Sequence, residues 1–323
     1  MKEIGFPISR KENERRRAVV PSDLAGMANP GMCWLEEGFG DVLGIADESW
    51  IEAGARVATR EEVLARDIIC NPKGLDEDMV DSLREGQTLF GWIHAVQGRR
   101  ITDVLTEKSM TAVAWEDMYE DGVHTFRRNN EIAGEAAIIH AAPFTGRLPC
   151  EWKAALLGTG NCGTGALRSL ERLGADVEVY PHERMFDISE HLGKYDVLVN
   201  TLLWDVFEER LLIRRSDLAR MKEGSMIVDI SCDAEGMAIE STRPTTVADP
   251  VYVLDGVIHY AVDHTPTFFF RSATEAISRE IVRFLDALIE GRPDPALENA
   301  TVIRDGRIID ERISRFQGRR GRR

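Results

Sequence analysis

A glycine-rich turn in the middle of the chain restricts the possible fold more than any other feature of the sequence. Gly158, Gly160 and Gly163 match the pattern G-x-G-x-x-G, directly after an apolar run over 152–157 and directly before a helical pattern. Such a turn lets the backbone approach a pyrophosphate, which then lies at the helix N-terminus, where unpaired N–H groups favour negative charge. The alternative is a glycine-rich turn without a ligand. The predicted cofactor loop comprises Gly158, Gly160, Asn161, Cys162 and Gly163.

Short apolar runs alternate with helical patterns along the chain, which predicts parallel sheets flanked by helices. In the first third, strands are expected over 3–8, 32–35, 67–70, 88–92 and 111–114. Helices are expected between them over 21–28, 47–54, 59–65, 76–84 and 101–108. A second series has strands over 152–157, 176–180, 197–200 and 225–230 and a helix over 161–173. A last amphipathic helix, over 272–289, is expected to return to the first domain.

A length of 323 residues is enough for two domains, each with its own core. We place the crossing between them near a helix of small residues over 131–142. The predicted fold class is α/β, with two Rossmann-like domains built on parallel sheets. In this prediction a nucleotide-binding domain, residues 129–269, is inserted into a discontinuous substrate domain, residues 1–128 plus 270–323.

The charge balance and the cysteine pattern exclude several kinds of partner. The chain has 40 Lys and Arg against 55 Asp and Glu, a formal net charge of −15, so most of its surface would repel a nucleic acid. Five scattered cysteines without a C-x-x-C pair indicate reduced thiols and no zinc site. No apolar run approaches the roughly 18 residues of a membrane span, and the charged N-terminus lacks a signal-peptide core. We therefore expect a cytoplasmic protein with no metal, no nucleic-acid partner and no membrane partner.

The residues after the second strand of the nucleotide-binding domain predict which dinucleotide binds. An acid at this point commonly accepts hydrogen bonds from the adenosine ribose. Here the strand ends at Tyr180, and Pro181, His182 and Arg184 follow it, so no carboxylate takes that place. A carboxylate would repel a 2′-phosphate, whereas His182 and Arg184 can bind one. The sequence therefore predicts NADPH/NADP+ as the cofactor.

Polar residues follow four other predicted strands. Three arginines, at 15–17, crowd the loop after the first strand, and an arginine fork there suits a substrate carboxylate. Lys73 and His94 each follow a strand at its carboxyl end, where open α/β sheets bind ligands. Asp233 follows the strand over 225–230 in the same way. These residue types can bind a carboxylate, polarise a carbonyl and transfer protons.

Six motifs taken together resemble those of the alanine dehydrogenase superfamily, and in particular its branch of carboxyethylornithine synthases. They are E-R-R-R-A-V-V-P (14–21), E-E-G-F-G-D-V-L-G-I-A-D (36–47), G-Q-T-L-F-G-W-I-H (86–94), G-T-G-N-C-G (158–163), V-D-I-S-C-D (228–233) and H-Y-A-V-D-H-T-P-T (259–267). The resemblance covers essentially the whole chain.

The resemblance implies an oxidoreductase that condenses pyruvate with the side-chain amine of ornithine or lysine. Hydride from NADPH would reduce the resulting imine to an N-(1-carboxyethyl) amino acid. The resemblance implies His94, Lys73 and Asp233 as catalytic residues, and Arg16, Lys73 and His264 as substrate-binding residues. Ser231 joins His182, Arg184 and the glycine loop as a cofactor-binding residue. A basic substrate also calls for carboxylates, and the candidates are Glu135, Asp233 and Asp263.

Three other functions remain open at this point. An alanine dehydrogenase would use ammonia in place of the amino acid. A saccharopine-type dehydrogenase would use 2-oxoglutarate and would need a further cationic site for its second carboxylate. A dinucleotide-sensing binding protein would bind the cofactor without turnover. In each case the partners are small molecules, and the long apolar segments near the C-terminus lead us to expect a homo-oligomer, a dimer or tetramer.

Overall fold

The chain forms two units, each built around its own sheet. Unit 1 comprises Met1–Arg127 and Phe270–Arg323, and unit 2 comprises Arg128–Phe269. The computed structural model describes residues 1–73, 77–232 and 234–319. Within those ranges no helix combines the length and the apolar character needed to cross a membrane. The same ranges contain no group of three or more His, Cys, Asp or Glu side chains placed to hold a metal ion.

The first segment of unit 1 alternates strands with short helices, as the sequence predicts. Its strands are β1 (Ile4–Phe6), β2 (Cys33–Glu36), β3 (Arg56–Ala58), β4 (Ile68–Asn71), β5 (Thr88–Gly91), β6 (Thr111–Ala114), β7 (Tyr119–Glu120) and β8 (Val123–His124). Its helices are α1 (Pro21–Leu24), α2 (Asp47–Glu52), α3 (Arg60–Leu64), α4 (Glu77–Ser82) and α5 (Arg99–Glu107). The strand β3 and the hairpin of β7 and β8 were not predicted, because these short strands include exposed residues and show no apolar run.

Unit 2 begins with helix α6 (Arg127–Ala141) and contains a six-stranded sheet. Its elements are β9 (Lys153–Leu157), α7 (Asn161–Arg172), β10 (Asp176–Tyr180), β11 (Val197–Asn200), β12 (Met226–Asp229), β13 (Val251–Leu254) and β14 (Val257–Tyr260). The spatial order is β10-β9-β11-β12-β14-β13, and the first five strands are parallel. Within the described part of this sheet, β13 runs antiparallel to β14 at the edge, and the predicted Rossmann-like fold with a parallel sheet is confirmed. Two apolar clusters enclose this sheet, so the unit has its own core.

The chain then returns to unit 1, as predicted, through helix α8 (Phe270–Glu290). After it come α9 (Pro295–Asn299), β15 (Thr301–Arg304), β16 (Arg307–Ile308) and α10 (Glu311–Phe316). The buried face of α8, with Ile277, Ile281 and Phe284, packs in one apolar cluster with Ile4 and Phe6 of β1. Strand β15 pairs antiparallel with β6, and β16 with β15. The complete sheet has the order β16-β15-β6-β5-β4-β1-β2-β3.

The parallel pairing of neighbouring strands in unit 1 places the polar loops that follow them close together. Strands β1, β4, β5 and β6 are adjacent and parallel. Their carboxyl ends therefore lie along one edge of the sheet, and the loops that follow them share that edge. Ligands of open α/β sheets bind at such edges.

Candidate active site and dinucleotide-binding loop

The glycine-rich turn of unit 2 has the geometry that its pattern predicts. Gly158 has a φ of +96°, and its N–H donates to the carbonyl of Tyr180 at 3.0 Å. A Cβ on Gly163 would lie 2.4 Å from the carbonyl oxygen of Gly158, so only glycine lets α7 approach the turn this closely. A Cβ on Gly160 would have no atom of the described chain within 4 Å. Gly160 therefore faces open space immediately before the first turn of α7, where a pyrophosphate would be bound.

Helices α6 and α7 lie in backbone contact, which holds the start of α7 in place. A Cβ on Gly134 would lie 2.0 Å from the carbonyl oxygen of Cys162, and one on Gly165 would lie 1.9 Å from that of Glu131. The small residues of α6 therefore serve close helix packing, as the sequence predicts. Asn161 and Cys162 form the beginning of α7, adjacent to the open side of the turn.

A buried polar network supports the loop that follows β12. Asp229 is 3% exposed, and its carboxylate accepts hydrogen bonds from Asn200 Nδ2 at 2.9 Å and Thr242 Oγ1 at 2.7 Å. It also accepts the backbone N–H of Ser231 at 3.2 Å, which shapes the turn carrying that residue. Asp229 therefore has a structural role, although the sequence groups it with Asp233. The predicted catalytic residue Asp233 lies outside the described residues.

No carboxylate stands at the end of β10, as the sequence indicates. The strand ends at Tyr180, and a short 3₁₀ helix over His182–Glu190 follows Pro181. The guanidinium of Arg184 lies 3.1 Å from the carboxylate of Asp187, with both side chains more than half exposed. Since an exposed ion pair contributes only about 0–1 kcal/mol, an incoming phosphate can compete with Asp187 for Arg184.

The predicted residues of unit 1 occupy one edge of its sheet. Arg16 lies on the loop after β1, Lys73 follows β4 by two residues, and His94 follows β5 by three. Glu116, which sequence reasoning missed, follows β6 by two residues. All four therefore follow the carboxyl ends of adjacent parallel strands, which is the arrangement expected of a substrate site.

Glu14 holds the guanidinium of Arg16. Its carboxylate accepts Arg16 Nε at 2.9 Å and Nη2 at 2.6 Å, and it also accepts the backbone N–H of Arg16 at 2.9 Å. Both side chains are buried, and the guanidinium lies 5.3 Å from the centre of the Trp92 ring. The sequence analysis expects an arginine fork to bind a substrate carboxylate, but Glu14 already occupies the Nε–Nη2 fork of Arg16. A carboxylate could use that fork only if Glu14 releases it.

The other two arginines of this loop have structural contacts. Arg15 lies with its guanidinium carbon 3.9 Å from the centre of the Phe270 ring. Arg17 is buried, and its guanidinium donates to the carbonyls of Phe39 at 2.5 Å and Arg16 at 3.0 Å. Burial lowers the pKa of Arg17, although nearby acids oppose that effect. These contacts leave Arg16 as the arginine of this group best placed for a substrate.

The chain turns sharply after β4 to present Lys73. The side-chain oxygen of Asn71 accepts the backbone N–H of Lys73 at 3.0 Å, an Asx turn. A Cβ on Gly91 would lie 2.1 Å from the Asn71 carbonyl oxygen, so the ends of β4 and β5 are in backbone contact. Asn71 Nδ2 is buried and has no hydrogen-bond partner within the described part of the chain, which costs about 1–3 kcal/mol. A bound ligand could satisfy this donor.

His94 has an unusual backbone conformation, with a φ of +50°. Its N–H donates to Glu116 Oε1 at 2.6 Å, and the N–H of Ile93 donates to Glu116 Oε2 at 3.1 Å. Burial raises the pKa of the Glu116 carboxyl to about 7, although the N–H donors around it act in the opposite direction. The signal that could have revealed Glu116 is an acid directly after a buried strand, at the edge where Lys73 and His94 follow theirs.

Two of the candidate carboxylates for a basic substrate, Glu135 and Asp263, have side-chain contacts within unit 2. Glu135 lies 3.0 Å from Arg128 and 2.5 Å from Arg168, so its carboxylate is neutralised within α6 and α7. The structure therefore corrects the selection of Glu135 as a substrate carboxylate. Asp263 contacts the imidazole of His264, which is 3% exposed. That contact orients the His264 ring at the end of the loop after β14.

Two family models match most of the chain. The model of the alanine dehydrogenase/PNT N-terminal domain matches residues 5–133, and that of the alanine dehydrogenase/PNT C-terminal domain matches residues 181–311. The chain therefore belongs to the alanine dehydrogenase/PNT family of oxidoreductases.

Within that family the chain is similar to proteins named N(5)-(carboxyethyl)ornithine synthase. It is 30% identical to one from Clostridium botulinum, over 89% of this chain and 98% of that relative. It is 24% identical to alanine dehydrogenase 1 of Staphylococcus aureus, over 95% of this chain and 91% of that enzyme. A solved L-alanine dehydrogenase superposes with a TM-score of 0.83 at 23% identity, over 98% of this chain and 99% of that one, which supports the fold. The family and branch resemblance predicted from the sequence is confirmed.

Proposed function

We propose that this protein catalyses the NADPH-dependent reductive condensation of pyruvate with the side-chain amine of L-ornithine or L-lysine. The product is an N-(1-carboxyethyl) amino acid, with NADP+ and water formed beside it. The observation that carries the proposal is that Arg16, Lys73 and His94 follow adjacent strands of one sheet, in a chain that spans 98% of a carboxyethylornithine synthase. The open Gly160 side of the turn supports a dinucleotide in unit 2.

The chemistry requires an imine and a hydride. The amine nitrogen attacks the pyruvate carbonyl carbon, and the carbinolamine loses water to give the imine. When bound, NADPH supplies hydride to the imine carbon, which yields the secondary amine. Atoms and charge balance when one proton is taken up for each protonated amine consumed.

Each candidate residue has a task in this scheme. Once Glu14 releases the Arg16 fork, Arg16 binds the pyruvate carboxylate, which orients the carbonyl carbon and makes the reaction effectively unimolecular. Lys73 donates to the carbonyl oxygen and stabilises the negative charge that develops there. His94 donates the proton that leaves with water, since imidazole is the side chain that most often serves as a general acid. Asp233 orients the amine or accepts its proton, and His264, oriented by Asp263, contacts the substrate.

The proposed cofactor is NADPH, supported by the absence of an acid at the end of β10 and by Arg184 beside it. We expect Arg184→Ala to raise the KM for NADPH about tenfold, equivalent to about 1.4 kcal/mol, and to leave the KM for NADH unchanged. The matched control is Arg215→Ala, because Arg215 is an equally exposed arginine of unit 2 paired with an acid, Asp255. Initial rates against each dinucleotide measure the effect. An equal rise in the KM for NADPH and the KM for NADH would contradict a contact between Arg184 and the 2′-phosphate.

The test of the function is oxidation of NADPH with pyruvate, comparing ornithine, lysine and ammonia, with the product mass determined. Ornithine or lysine should support turnover and yield a product heavier than the amine by one carboxyethyl group. Activity with ammonia alone would instead make the protein an alanine dehydrogenase. A requirement for 2-oxoglutarate would make it a saccharopine-type enzyme, and cofactor binding without any turnover would make it a dinucleotide-sensing protein.

The assembly is also a proposal. We infer a homo-oligomer, a dimer or tetramer, because apolar side chains on several elements remain exposed, among them Ile139, Leu148 and Phe269. Sedimentation velocity at micromolar concentration tests this, and a single species at the monomer mass would contradict it.

A further inference from the structure

Glu116 contacts the loop of His94 through both oxygens of its carboxylate. These oxygens accept two successive backbone N–H groups, those of Ile93 and His94, at 3.1 and 2.6 Å. The acceptor lies on the 3₁₀ turn directly after β6, whereas the donors follow β5, so the contact joins the ends of adjacent strands at the proposed substrate edge. Both donors are in the segment that carries the proposed proton donor.

The backbone of His94 is held on both sides of its Cα atom. A φ of +50° lies in the left-handed region, which is uncommon for residues other than glycine, although asparagine, aspartate and histidine adopt it more often than the rest. The carbonyl of His94 accepts the N–H of Gly98 at 2.9 Å, and a Cβ on Gly98 would lie 2.9 Å from that carbonyl oxygen. The peptide groups on both sides of the His94 Cα are therefore held, one by Glu116 and one by Gly98. The direction of the His94 side chain follows from this conformation.

The position of Glu116 is itself fixed. Nε2 of His124 lies 3.3 Å from the Glu116 carbonyl oxygen, and Nδ1 of His124 accepts the N–H of Phe126 at 3.1 Å. Since Nδ1 is an acceptor, Nε2 carries the proton and donates to Glu116. Burial lowers the pKa of His124, which keeps this ring neutral and in that tautomer. This hydrogen bond anchors the backbone of Glu116 to strand β8.

We propose that Glu116 is a positioning residue for the reaction, which holds His94 in its left-handed conformation by accepting the N–H groups of both Ile93 and His94. This inference rests on the proposed function for its effect on turnover, but the hydrogen bonds can be tested without any substrate. Only an ionised carboxylate offers an acceptor to both donors. A protonated carboxyl, or the amide of glutamine, replaces one acceptor with a donor that opposes an N–H group.

The first test is a pH titration of the amide protons of Ile93 and His94 in the isotopically labelled full chain by NMR. The charged and titratable groups near Glu116 are Asp117, its partner Arg312, His124 and His94 itself. We expect both amide protons to shift together with a midpoint close to 7, because burial raises the pKa of Glu116 to about that value. The shift should persist in His94→Asn, which removes the imidazole, and should disappear in Glu116→Gln. Amide shifts of Ile93 and His94 that are the same in Glu116→Gln as in the wild-type protein at pH 8 would overturn the proposal, because the carboxylate would then not be their acceptor.

The second test separates positioning from folding. We expect Glu116→Gln to lower kcat ten- to a hundredfold at pH 8 with less than a threefold change in the KM for NADPH. The matched control is Asp117→Asn, since Asp117 is the neighbouring acid and its carboxylate pairs with Arg312 at 2.7 Å. That variant should keep the wild-type kcat at pH 8. A wild-type kcat in Glu116→Gln would overturn the positioning role. If no substrate pair is turned over, the amide titration still decides whether Glu116 holds the loop.

Discussion

The His94→Asn variant is expected to bind NADPH with wild-type affinity and to turn over about 10²- to 10⁴-fold more slowly than the wild-type protein. This is the range over which a positioned general acid accelerates a reaction. Asparagine is the informative replacement, because it tolerates the left-handed conformation that His94 adopts at a φ of +50°. The variant therefore removes the imidazole without straining the loop. Single-turnover rates and the Kd for NADPH measure the two quantities separately.

A comparison with His94→Ala sharpens this experiment. Alanine also lacks the imidazole but is disfavoured in the left-handed region by about 1–2 kcal/mol. We expect the alanine variant to lose the same catalytic factor and, in addition, some thermal stability. Equal turnover of His94→Asn and the wild-type protein would exclude His94 as the proton donor and leave Lys73 as the candidate.

The second large effect is expected at the glycine-rich turn, where two alanine substitutions should behave differently. A Cβ on Gly163 would lie 2.4 Å from the carbonyl oxygen of Gly158 and 2.9 Å from Thr201 Oγ1, so the turn must move. We expect Gly163→Ala to destabilise the protein by about 1–3 kcal/mol, the usual cost of overpacking. Since the displaced turn is the proposed pyrophosphate site, NADPH affinity should fall at least about a hundredfold, by roughly 2.7 kcal/mol.

Gly160→Ala is the matched comparison. Its Cβ would meet no described atom within 4 Å, so the fold and the melting temperature should remain those of the wild-type protein. If a pyrophosphate approaches this backbone, the added methyl group displaces it and NADPH affinity falls with no loss of stability. Thermal denaturation and NADPH titration by fluorescence measure both properties. Wild-type affinity in Gly160→Ala would mean that the open side of the turn does not face the cofactor.

The sequence predicts the central strands of both sheets well and most of the edge strands poorly. The predicted strands over 111–114 and 197–200 lie inside their sheets, are almost fully buried and have the observed bounds. The edge strand over 176–180 is also predicted with its observed bounds. By contrast, β13 has no fully buried residue and pairs antiparallel at an edge, and β16 has only two residues. Such strands exist because a neighbour offers hydrogen-bond partners, which a local pattern does not reveal.

The residues of the candidate site also divide into those that could be predicted from the sequence and those that could not. His94 and Lys73 were predictable, because each follows a recognisable apolar strand at the end where ligands bind. Glu116 and the pairing of Glu14 with Arg16 were not, since both depend on where side chains meet. Glu135 was a plausible substrate carboxylate in the sequence, and only the structure reveals that Arg128 and Arg168 neutralise it.

The sequence by itself determined the glycine-rich turn, the alternation of strands and helices, and the family, because each depends on residues close together along the chain. The spacing of the glycines predicts a turn, whatever the position of that turn in the fold. Only the tertiary structure decided which acid holds His94, because Glu116 reaches the N–H of residue 94 through the pairing of β5 with β6. A hydrogen bond is effective over about 3 Å, so its partners follow from the order of strands in the sheet and not from their separation in sequence.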